Sequence, residues 1–166
     1  GPAGPPAGAA PRAIHPVPGG LIAGAVLFGG AILQQAGLVR TTAGKAGFVT
    51  GLYVVLVPLA GLAWRQRPGW FRWLGAGLAA AGLFLLSVTR SFTLERGDLL
   101  VLVGALFWTA HVQLLGWLSP RTRVVALSCV QFAVCSVLSA AAAALFAHVT
   151  VPALLDAAVP ILYGGL

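Results

Sequence analysis

A few side chains able to bind or carry something lie within long apolar runs: Gln34, Gln35, Lys45, Tyr53, Trp108, His111 and Gln131. A polar group in hydrocarbon costs free energy unless it finds a partner, so each is a candidate for solute contact. Lys45 offers a cation to an anionic solute group, or it snorkels to a nearby surface. Tyr53 shares its helical stripe. Gln34 and Gln35 offer amides either to a solute or to a neighbouring helix. His111, with Trp108 on its face, can bind solute or carry a proton, because imidazole titrates near physiological pH. It can equally be a neutral ring bonded to a neighbouring helix. Gln131 belongs to a stripe with Ser128, Cys135 and Ser139. That stripe either lines a path or packs.

Other chemistries lack their residues. The acids Glu95, Asp98 and Asp156 fall at or beyond the edges of the apolar runs. No paired carboxylates serve hydrolysis, and no His/Cys/Asp/Glu group has metal-ligand spacing. There is no GxSxG, HExxH or P-loop. The expectation is no enzyme, no cofactor and no metal, and no ATP-driven pump within this chain. Cys129 and Cys135 lie about 9 Å apart on one helix, too far for a bridge.

The elements that must position these residues follow from composition. Of 166 residues, 59% are hydrophobic and 8% charged. Mean hydropathy is +0.96. A soluble domain carries about 25% charged residues. The net charge of +7 comes from nine Arg and one Lys in short clusters between apolar runs. This is the pattern of the positive-inside rule and not a nucleic-acid-binding face. Residues 1–16 are Pro/Gly-rich and read as a linker or disordered arm.

Six apolar segments follow, at about 17–39, 42–64, 70–89, 99–118, 124–148 and 152–166. The first five reach the ~20 residues that cross a ~30 Å hydrocarbon core. The sixth is about half a span. The fold class is therefore all-α: a polytopic transmembrane bundle of five full spans plus a truncated sixth. Short connections make successive helices antiparallel. Arg12, Arg65, Arg67, Arg72, Arg121 and Arg123 fall on one side of the membrane. Arg40, Arg90 and Arg96 fall on the other, with Lys45 just inside it. The loops 65–69 and 119–123 are accordingly expected in the cytoplasm. The chain has no Met, and an apolar run is still in progress at Leu166. It reads as an internal piece of a longer protein. The Arg excess over Lys suggests a bacterial source.

Small residues recur at helical spacing: Gly20/Gly24, Ala43/Gly47/Gly51, Gly75/Ala79 and Gly77/Ala81. Such rows let backbones approach closely. On the second segment the row is expected to pack, while Thr42, Lys45, Val49 and Tyr53 meet a cavity.

Leu33 to Leu62, LQQAGLVRTTAGKAGFVTGLYVVLVPLAGL, resembles the helix 3–helix 4 region of EamA-type transporters in the drug/metabolite transporter superfamily. Gly97 to Ala140 is similar to the start of that family's second repeat, and VPILYGGL at 159–166 to its eighth helix. The resemblance implies ten helices in two inverted repeats. It places the last three helices of the first repeat in 17–96. The first helices of a truncated second repeat then fall in 97–166. Helices 1, 2, 9 and 10 are the missing partners.

The expected function is movement of a small metabolite or drug-like solute across a bacterial inner membrane by alternating access. The alternative is a non-transporting structural or interaction protein, or an inactive fragment. Expected partners are the lipid bilayer, the solute, the missing helices and, as one allowed assembly, a second copy in a homodimer. No nucleic acid is expected.

Overall fold

Long apolar runs in lipid must satisfy their backbone groups internally, and a helix does so within one segment. The computed structural model describes residues 14–64, 66, 69–87, 95–146 and 151–165. Most of the expected linker and Arg65, Arg67 and Arg90 lie outside them. The described residues form α1 (Pro16–Leu38), α2 (Ala43–Gly51), α3 (Tyr53–Ala63), α4 (Trp70–Ser87), α5 (Arg96–Leu118), α6 (Val124–Phe146), α7 (Val151–Asp156) and α8 (Ala158–Gly165). A 3₁₀ turn, Ser119–Arg121, extends α5. There is no strand among the described residues, and the bundle is all-α.

Helix starts follow local chemistry. His15 caps α1 by accepting from the Val17 N–H, with Pro16 at the first helical position. Thr42 caps α2 by accepting from the Lys45 N–H. Asp98, in the first turn of α5, reaches back to accept from the Glu95 N–H at 2.8 Å.

Among the described residues, four stretches are long and apolar enough to cross a membrane: Pro16–Leu38, Ala43–Ala63, Arg96–Arg121 and Val124–Phe146. The third expected span, at 70–89, is described as α4 over 18 residues. That is about 27 Å, slightly short of a ~30 Å core and within what a bilayer accommodates.

Two expected continuous runs are irregular. The second stays helical through Leu52, between α2 and α3, where Leu52 keeps αR dihedrals and donates to the Phe48 carbonyl at 3.2 Å. Pro58 lies inside α3, where it supplies no N–H to the Val54 carbonyl and its ring crowds that group. The last run breaks at Ala157, between α7 and α8. Pro160 likewise has no N–H for the Asp156 carbonyl.

α1 packs between α5 and α6, and α5 also meets α2 and α3, with α4 resting on α2 and α3. Gly19 lies against Leu118 and Gly37 against Val101, so α1 and α5 are antiparallel. The expected row on α1 does bring backbones together. A Cβ on Gly20 would fall 2.6 Å from Val130 Cβ, and one on Gly24 2.6 Å from the Gln131 carbonyl oxygen.

The other rows need correction. On α4, Gly75 and Gly77 meet nothing within 4 Å, and Ala76 is the buried contact. On α2, Ala43 and Gly47 are exposed, while Gly51 touches Leu83. Val49, expected to face a cavity, is buried with Ala46 against Val101. The face carrying Lys45 is the one turned to α5, where Lys45 meets the carboxylates at the start of that helix and Ala46 and Val49 meet Val101.

Candidate functional site

Polar side chains from α1, α5 and α6 meet inside the bundle. Trp108 on α5 donates its indole N–H to Gln34 Oε1 on α1 at 3.0 Å. The Trp108 ring meets the His111 ring edge-on, with centroids 6.3 Å apart. His111 Nε2 lies 3.0 Å from Gln131 Oε1 on α6. An amide oxygen only accepts, so with this amide orientation the imidazole donates from Nε2. His111 is 8% exposed and Gln131 4%. Gln34, Trp108, His111 and Gln131 thus form one polar ladder across three helices. Gly30 lies beside the Trp108 ring, where a Cβ would stand in ordinary contact at 3.4 Å.

A charged group sits at the end of the bundle where α2 meets the start of α5. Lys45 Nζ is 2.9 Å from Glu95 Oε1 and 3.8 Å from Asp98 Oδ2. Thr41 donates its hydroxyl to Asp98 Oδ1. Asp98 is 1% exposed. The sequence reading treated all three acids as edge groups and considered a solute or the surface as the destination for Lys45. Here the protein itself supplies the anions. Chain folding brings residues 45 and 95–98 together, with the turn between α1 and α2 lying on the first turn of α5. Lys45, the single lysine, sits about one turn inside an apolar run, and the sequence reading puts all three acids on its side of the membrane. That is the signal by which Glu95 and Asp98 were legible.

A third group was missed. Gln113, on the opposite side of α5 from His111, donates to the Val57 carbonyl at 2.7 Å. It accepts from Gln66 at 3.1 Å. These amides line a cavity of about 350 Å³ with Trp64 and Trp117. The enclosure of α5 on two sides explains how His111 and Gln113 both find partners.

Of the remaining candidates, Tyr53 is half-buried at the start of α3 and Gln35 is exposed. Neither joins the ladder in the described contacts. Along α6, Gln131 is buried, Ser128 and Cys135 are half-buried and Ser139 is exposed. Among the described residues, no three His, Cys, Asp or Glu side chains are grouped to hold a metal ion.

Residues 9–88 match the EamA-like transporter family. An uncharacterized transporter of Archaeoglobus fulgidus is 37% identical over 95 residues, which is 55% of this chain and 30% of that protein. The chain therefore spans less than a third of that relative. No solved structure matches. The apolar helices and the family match together make this a multi-pass membrane protein.

Proposed function

We propose that this chain, whose residues 9–88 carry the EamA-like transporter domain, is part of a permease for a small metabolite or drug-like solute. The observation that carries the reading is the match itself, joined to a buried polar ladder between helices on either side of its end. The match stops at residue 88 and α5 begins at Arg96. This supports a division into repeats, with 17–96 closing one and 97–166 opening the next. Alternating access then moves the two repeats about a midplane site.

In this reading the ladder supplies hydrogen bonds and no charge. Within the described bonds, the amide nitrogens of Gln34 and Gln131 and Nδ1 of His111 remain for a solute. Such a set suits a neutral, hydrogen-bonding molecule. Lys45 attracts an anionic group only if that group competes with Glu95. Membership of a bacterial inner membrane, the further helices and a homodimer belong to the same proposal.

A second reading has one observation in its favour. Gln34 with Trp108, and His111 with Gln131, already satisfy one another, as helix-joining groups do. The chain would then be structural and non-transporting.

Reconstitution into proteoliposomes separates the two. Saturable solute uptake by the full-length gene product, lost in a Gln34→Leu/Gln131→Leu variant of equal abundance, supports the permease. Absence of flux for every small solute offered supports the structural reading. Residues 1–166 alone are expected to insert without transporting. Saturable uptake by them would overturn the ten-helix map.

A further inference from the structure

At the end of the bundle opposite Lys45, the start of α1 and the turn between α5 and α6 enclose a depression of about 480 Å³. His15, Pro16, Arg121, Thr122 and Arg123 help to line it. The turn is held in place. The Ile14 N–H donates to the Arg121 carbonyl at 2.8 Å. Arg121 lies over the Trp117 ring, 4.9 Å from its centroid, and Nη1 donates to the Trp117 carbonyl at 2.5 Å. A guanidinium has five N–H donors, so most remain for another acceptor. His15 Nδ1 accepts from the Val17 N–H, which leaves Nε2 to carry the neutral ring's proton. Thr122 Oγ1 is buried with no hydrogen-bond partner. A buried orphan of this kind calls for a missing acceptor or donor.

Among the described residues, no protein anion is paired with these groups. The described ion pairs join Lys45 to Glu95 and Asp98, at the far end of α5, about 30 Å away along the helix. The third acid in the sequence, Asp156, lies on α7. The start of α1 is a poor donor itself, since Pro16 and Pro18 carry no N–H and that of Val17 goes to His15. The two arginines therefore dominate. On the spanward side, Val17, Leu21, Trp117, Val124 and Val125 are exposed. Apolar surface running directly from a basic depression fits a ligand with a charged head and hydrocarbon tails.

We propose that this depression binds the phosphate of an anionic phospholipid headgroup. Arg121, Arg123 and His15 hold the phosphate oxygens, the Thr122 hydroxyl donates to one of them, and the acyl chains lie along the exposed faces of α1 and α6. Basic pockets at the ends of membrane helices bind lipid headgroups in this way.

The test uses the whole chain in a neutral detergent, titrated separately with short-chain phosphatidylglycerol, phosphatidylcholine of the same chain length and inorganic phosphate. The thermal midpoint is read in each case. Phosphatidylglycerol is expected to raise it saturably while the other two, at equal concentration, do not. Arg123→Gln should weaken the apparent affinity about fivefold, and Arg121→Gln/Arg123→Gln about 25-fold. Arg96→Gln, at the other end, should leave it unchanged. Arg121 also caps α5, so the double variant has a second way to lose stability. Arg123 is exposed and has no described side-chain partner, so the single variant carries the test if the double fails to fold. Equal shifts with phosphatidylcholine would overturn the proposal. So would inorganic phosphate reproducing the shift, or an Arg123→Gln chain that binds as tightly as the original.

Discussion

His111 Nε2 and Gln131 Oε1 face each other at 3.0 Å inside the bundle, each less than one-tenth exposed. The bond ties α5 to α6, two helices that otherwise pack chiefly on α1. Loss of one partner strands the other away from water. His111→Leu should therefore destabilise the chain by about 1–3 kcal/mol. Adding Gln131→Leu should restore much of the loss, because two apolar groups leave nothing unpaired. Thermal unfolding in detergent measures both. Simple additivity of the two single losses would show that the pair is not coupled.

His111→Gln keeps a polar group of similar reach and removes titration. If His111 carries a coupling proton in the full-length protein, proton-driven accumulation should disappear while solute exchange persists. Accumulation at the original rate would leave His111 as a bond between helices.

Lys45→Gln removes the cation beside Glu95 and the buried Asp98. Asp98 keeps the Thr41 hydroxyl and the Glu95 N–H, so the loss should be moderate, about 1–3 kcal/mol. Lys45→Gln/Asp98→Asn should recover part of it. Solute affinity, measured beside stability, tells ion-pair loss from anchor loss. A variant of near-original stability whose affinity collapses would mark Lys45 as a solute contact.

Gly24→Val places side-chain carbon where the Gln131 carbonyl and Val134 already sit. α1 and α6 must separate, at about 1–3 kcal/mol. Gly77→Ala meets open space, and replacing a mid-helix glycine with alanine favours the helix by up to ~1 kcal/mol. Unfolding midpoints should thus move in opposite directions. Equal losses would mean that the α4 row packs against something after all.

Topology is tested with single cysteines in a Cys129- and Cys135-free background. Arg123 and Arg96 are exposed at opposite ends of α5 and its turn. A cysteine at 96 should react with a membrane-impermeant thiol reagent in intact cells, and one at 123 should not. The reverse pattern would invert the cytoplasmic assignment.

The sequence alone determined the all-α membrane bundle. Apolar length and sparse charge leave lipid as the solvent, and helices are the solution open to such runs. It also located the close approach at Gly20 and Gly24, since small residues one turn apart mark it, whereas the caps at His15 and Thr42 emerged with the structure. Gln34 and His111 were legible as candidates for bonds between helices, but their partners were not. Only the tertiary structure decided that Trp108 answers Gln34, that Gln131 answers His111, and that Lys45 meets Glu95 and Asp98. Those pairs lie 20 to 74 positions apart, or 50 and more for Lys45. A helical wheel gives each helix its faces, but not which neighbour each face meets. The wheel of α2 was misread for that reason. Its small row was assigned to packing by residue size, whereas the face that meets α5 carries Lys45 beside Glu95 and Asp98, with Ala46 and Val49 against Val101.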